Sequence, residues 1–118
     1  MATYSRLVLT GSTNGRNIPV AATATPGTAI HTAVAGTTSF DELYLWAANV
    51  TGSAATLTVE WGGVTDPGDH MVKAVSIPAN SPPIPIATGQ VLNNTLLVKA
   101  FSGTASAINI TGYVNRIA

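Results

Sequence analysis

The sequence predicts an all-β fold: a single-domain antiparallel β-sandwich or jelly roll of about eight or nine short strands. Three observations carry this prediction. Apolar residues recur with period two in short runs, and no window shows a convincing helical period. Turn residues (Gly, Pro and Asn) punctuate the chain roughly every 8–12 residues, the spacing of sandwiches and barrels. Leu, Ile, Val and Phe make up 29 of 118 residues, above the roughly one fifth below which chains stay disordered. The length suits one domain over 1–118, with room for a short N-terminal arm at 1–6.

The elements follow in order. Asn14-Gly15 lies between the runs Tyr4–Thr10 and Arg16–Ala22. Asn-Gly supplies two positive-φ positions cheaply, so a hairpin is expected there. Ala29–Ala35 reads as a third strand, with Ile30, Thr32 and Val34 on one face. Asp41–Val50 is the most strand-like run, and both of its faces, Leu43/Leu45/Ala47 and Tyr44/Trp46/Ala48, are apolar. Such a strand is buried on both faces or has one face on a partner. Ala55–Trp61 alternates cleanly: Leu57, Val59 and Trp61 point to the core, Thr58 and Glu60 the other way. Met71–Ile77 is a further strand. The prolines of Ser81–Ile86 cannot donate to a ladder, which predicts an edge or an unpaired extended segment. Asn94–Phe101 and Ala107–Ile117 complete the set, with Ile108, Ile110 and Val114 on one face.

Charge is the compositional outlier. Only 8% of residues are charged, against about a quarter in ordinary domains. A surface of methyls, hydroxyls and amides suits a protein packed against copies of itself or a lattice. Net charge is zero and the five cations are scattered, so no nucleic-acid partner is expected. With no cysteine, disulfides and thiolate chemistry are excluded. No apolar run reaches the roughly 18 residues of a membrane helix, and the first residues lack a signal-peptide pattern. We therefore expect synthesis in a cytoplasm and no membrane partner. The Asn-x-Thr triplets at Asn49, Asn93 and Asn109 read as chance in a Thr-rich chain.

No residue pattern points to chemistry. Asp66, Asp69 and His70 share a Gly/Pro loop, but their spacing matches no ligand motif and such loops gather Asp for turns. His31 has no Ser or Cys motif beside it and reads as a hydrogen-bonded structural histidine. Glu60 lacks the second carboxylate that a glycosidase needs. Asp41-Glu42 reads as an exposed strand start. Trp46 and Trp61, in neighbouring strands, read as core or interface anchors before a sugar platform. The expectation is no enzyme, no metal and no cofactor.

Three stretches add a resemblance. Leu45–Gly63 (LWAANVTGSAATLTVEWGG) and Ala107–Ile117 (AINITGYVNRI) are similar to segments of small β-sandwich virion proteins of tailed bacteriophages, and Gly11–Val20 resembles the start of short proteins encoded near the major capsid protein. The resemblance implies a capsid decoration (cement) protein on the head surface, or a tail or head-fibre component. Its implied partners are copies of itself, a trimer preferred, and the major capsid protein. The residues expected at such contacts are Tyr4, Arg6, Tyr44, Trp46, Pro82, Pro83, Pro85 and Ile86.

Overall fold

The computed structural model describes residues 3–118, and these contain nine strands and no helix. The strands are β1 (Tyr4–Val8), β2 (Ile18–Pro19), β3 (Thr28–Thr32), β4 (Phe40–Asn49), β5 (Ala55–Trp61), β6 (His70–Ile77), β7 (Ile84–Leu92), β8 (Leu97–Ser102) and β9 (Ile108–Ile117). They form two antiparallel sheets. Sheet A runs β1-β9-β4-β7, with β2 also on β9; sheet B runs β3-β8-β5-β6. Leu43, Leu45, Ile110 and Val114 from sheet A meet Ile30, Leu57, Val59 and Val98 from sheet B in one core, so the fold is a β-sandwich.

The spine of sheet A is the pair β4 and β9, in unbroken register from Phe40↔Ile117 to Asn49↔Ile108. Alternation along β4 is strict: Asp41, Leu43, Leu45, Ala47 and Asn49 are buried, and Phe40, Glu42, Tyr44, Trp46 and Ala48 are half-exposed on the outer side. Gly112 permits this close pairing, because a Cβ there would run into the carbonyl oxygen of Tyr44.

Several expectations need correction. The Asn14-Gly15 turn forms, with Arg16 N–H donating to Thr13 O at 3.1 Å and both central residues at positive φ. It makes no hairpin. β1 and β2 both pair antiparallel with β9, at Leu7↔Val114 and Ile18↔Ile110, so they are two pieces of one interrupted edge. A turn is decided locally; which strand its arms join is decided by the free edge of β9. In β3 a bulge between Ala29 and His31 buries both Ile30 and His31 and leaves Thr32 exposed, so Ile30 and Thr32 do not share a face.

Asp41 is not at an exposed strand start. β4 is flanked by β9 and β7, and Asp41 is fully buried. The Pro-rich segment is an edge, as its prolines require: β7 pairs with β4 alone, and Pro82, Pro83 and Pro85 are exposed. Ile86, in the same segment, is half-buried. Trp46 pairs with Pro85 and Leu45 with Ala87, which makes Ile86 the extra residue of a bulge, and its side chain packs against the core. Residues 3–6 are no free arm, since Thr3 and Ala118 exchange two backbone hydrogen bonds and Tyr4 begins β1. The arm's first two residues lie outside the described residues.

Candidate interaction face

The outer side of sheet A gathers five of the residues that the sequence singles out. Tyr44 of β4 lies opposite Tyr113 of β9, and the rings stack at 4.9 Å between centroids with 15° between planes. Trp46, one step along the same face, stacks on Tyr113 at 6.2 Å and 28°. From β1, the Arg6 guanidinium lies 4.9 Å above the Tyr113 ring. On the other flank, the tyrosine ring of Tyr44 covers Gly89, whose φ of +109° and lack of a Cβ leave room for it. Pro85 stands opposite Trp46.

The result is a row across four strands: Arg6, Tyr113, Tyr44 with Trp46, then Pro85. Each aromatic pair contributes about 0.5–1.5 kcal/mol beyond its burial, and an exposed cation–π contact about 0.5–1 kcal/mol. These contacts hold the rings in place while leaving them half-exposed. Tyr4 extends the row towards the edge at 72% exposure, opposite Ile117. Phe40 and Val91 extend it along the strands, beside a groove of about 240 Å³. Glu42 is the one carboxylate on the outer side of β4.

Tyr113 was not among the residues expected here. It sits between Ile110 and Val114, which read as a core face, and only the register Tyr44↔Tyr113 places it in the row. Trp46 and Trp61 do not form one platform. They lie on different sheets, and Trp61 packs against the core.

The titratable groups are engaged in the fold. Asp41 accepts from Arg116 Nε at 2.7 Å and Nη2 at 3.0 Å, from the Val34 N–H at 3.1 Å, and bonds His31 Nε2 at 2.7 Å. The other ring nitrogen of His31, Nδ1, accepts the Thr10 N–H at 3.1 Å. These bonds fix the tautomer: the proton is on Nε2 and is donated to Asp41. Burial pushes the His31 pKa below its ordinary value, outweighing the opposing pull of Asp41, so the ring is neutral at pH 7. Burial alone would raise the Asp41 pKa; the hydrogen bonds from Arg116 and His31 outweigh it and hold the carboxyl below its ordinary value. An Asp–His pair is the orienting half of a nucleophilic triad, but here Nδ1 meets a backbone amide where a triad would place its nucleophile. His31 is thus the hydrogen-bonded histidine expected from the sequence.

Glu60 is also fully buried, under the turn after β2. It accepts from Thr25 Oγ1 at 2.6 Å and from the Gly27 N–H at 2.7 Å. Lys73 of β6 donates to Asp66 of the β5–β6 loop at 2.7 Å, which draws the Asp66 pKa down, and within the loop Asp69 accepts the Thr65 N–H at 3.0 Å. His70 Nδ1 stands 3.5 Å from Asp66, and both its ring nitrogens are buried without a hydrogen-bond partner. Among the described residues no three His, Asp or Glu side chains converge on a point where a metal would sit.

Compared with known protein families, curated proteins and solved structures, the chain gives no match.

Proposed function

We propose that the protein is a structural subunit without catalytic activity, a capsid decoration (cement) protein on the head of a tailed phage. It would be made in the host cytoplasm and act on the virion surface, as a homo-oligomer with a trimer preferred, bound to the major capsid protein. The observation that carries the reading is the half-exposed aromatic row of sheet A on a chain of which only 8% is charged. A contiguous exposed apolar face marks an association surface. Low charge removes the repulsion that keeps free proteins apart, and many weak contacts on a lattice add up through multivalency. The phage assignment rests on the sequence resemblance.

The test mixes purified protein with undecorated phage heads and measures occupancy and shell stability. Saturable binding at fixed stoichiometry, weakened by Trp46→Ala, is the expected result. Failure to bind any particle defeats the cement reading. A second reading uses the same row as a sugar platform, with the half-exposed Trp46 as the ring that a pyranose would meet. A glycan array separates the two: a defined glycan retained by the wild type and lost in Trp46→Ala would favour it.

A further inference from the structure

Sheet B carries a second uncovered apolar surface. Gly62 and Val64 after β5, with Leu96 just before β8 and Leu97 and Lys99 at its start, line a groove of about 180 Å³. Val64 and Leu96 are 44% and 41% exposed. The groove shares no residue with the aromatic row and belongs to the opposite sheet.

The charges of the chain sort themselves between these surfaces. Asp41 is held by Arg116 and His31, Asp66 by Lys73, Glu60 by Thr25 and Gly27, and Asp69 by the Thr65 amide. Arg6 rests on Tyr113. Among the described residues this leaves Glu42 as the carboxylate without a hydrogen-bond or ion-pair partner, and Lys99 and Arg16 as the cations that make no ion pair and lie over no aromatic ring, Lys99 standing opposite the buried Glu60 in the β5–β8 register. Glu42 stands on the aromatic face beside Tyr44. Arg16 lines a different cavity of mixed lining, with Thr13, Asn17 and Asn109 beside Ile18 and Pro19. Lys99 lines the apolar groove. The cation whose surroundings match an aromatic face is therefore Lys99.

We propose that copies of this chain associate face to groove. The Tyr44–Trp46–Tyr113 face of one copy packs on the Val64–Leu96 groove of the next, with Glu42 opposite Lys99. This specifies the contact for the self-association proposed above and rests on that reading. Because the two surfaces differ, the contact is heterologous. It closes into a ring such as a trimer if its rotation permits, whereas a two-fold dimer needs a surface that matches itself.

Sedimentation equilibrium of Trp46→Ala, Leu96→Asp and their equimolar mixture tests this, with thermal melts to confirm folding. Each variant alone should raise the dissociation constant at least tenfold. In the mixture, the intact face of Leu96→Asp meets the intact groove of Trp46→Ala, so association should return and stop at a dimer. Glu42→Lys and Lys99→Glu should each weaken association, and the double variant E42K/K99E should restore the wild-type mass. A monomeric wild type overturns the self-association reading itself. A wild-type oligomer with full association of Leu96→Asp, or with no complex in the mixture, overturns only the face-to-groove contact. Leu96→Asp that still self-associates but no longer binds phage heads would assign the groove to the shell protein instead.

Discussion

Replacing Asp41 with alanine should be the most damaging single change in sheet A, and its cost follows from what it leaves behind. The carboxylate is fully buried and serves His31, Val34 and Arg116. Its loss leaves the His31 Nε2–H and the Val34 N–H without an acceptor, each costing about 1–3 kcal/mol when buried. Arg116 is 30% exposed and can turn partly to water, which moderates its share. Removing one partner of a buried pair costs about 3–5 kcal/mol, and we expect about 4 kcal/mol here. That is a large part of the roughly 5–15 kcal/mol that holds a domain together, and it corresponds to about 15 °C in Tm for a chain of this size. Urea unfolding of wild type, Asp41→Ala, Arg116→Met and the double variant measures it. Because the groups touch, the double variant should lose less than the sum of the singles, with coupling of about 1–3 kcal/mol. A loss below about 1 kcal/mol for Asp41→Ala, with an unchanged m-value, would refute the reasoning.

Three further outcomes follow from the same geometry. The His31 pKa is lowered on folding, so below its ordinary value of 6.5 the unfolded chain binds the proton that the native ring refuses. Its contribution is thus full above pH 6.5 and falls as the pH drops below that. The lowered Asp41 pKa adds a second loss below 3.8; chemical unfolding across pH 3–8 should show the first slope in wild type and a flatter one in His31→Asn. Gly112→Ala should cost about 1–3 kcal/mol or more, the range for overpacking, and should weaken hydrogen-exchange protection where β9 crosses Tyr44; wild-type protection there would count against the close approach. Trp61→Ala should cost about 2–3 kcal/mol, less than the roughly 3–5 kcal/mol of a fully buried aromatic, since Trp61 is half-buried; a melt within a degree or two of wild type would place it outside the core.

The strands themselves were legible because their signal is local. Asp41–Val50, Ala55–Trp61 and Ala107–Ile117 match β4, β5 and β9 within a residue at each end. Pairing was not legible, because it depends on edges that no local run describes. Asn14-Gly15 makes its turn, yet the arms join β9 from the other end of the chain. Asp41 reads as solvent-facing beside Glu42; what buries it is Arg116, 75 residues away. Glu60 reads as an outward residue in an alternating strand, and the loop that covers it carries no charge to announce the pairing. In the aromatic face, Tyr44 and Trp46 were visible as a second apolar side of one strand. Tyr113 was hidden, because its place depends on a register set by ten consecutive residue pairs.

The scarcity of charge has a structural consequence larger than the composition suggests. Of the five carboxylates, Asp41 and Glu60 are fully buried, so they add nothing to surface charge. Arg116 is neutralised by Asp41, and Lys73 by Asp66. These pairs fix the fold: Asp41 joins sheet A to β3 of sheet B, and Glu60 pins the turn after β2. What remains to repel neighbouring molecules is a handful of scattered side chains, and two of them, Glu42 and Lys99, sit on the apolar surfaces that self-association would join. Charges on a crowded lattice are useful as matched pairs and costly when unmatched, because a like-charge or unpaired contact at an interface is what suppresses wrong partners. A chain that carries few charges, buries two of its five carboxylates and leaves single opposite charges on two separate apolar surfaces therefore has little to oppose association and one element to fix its register.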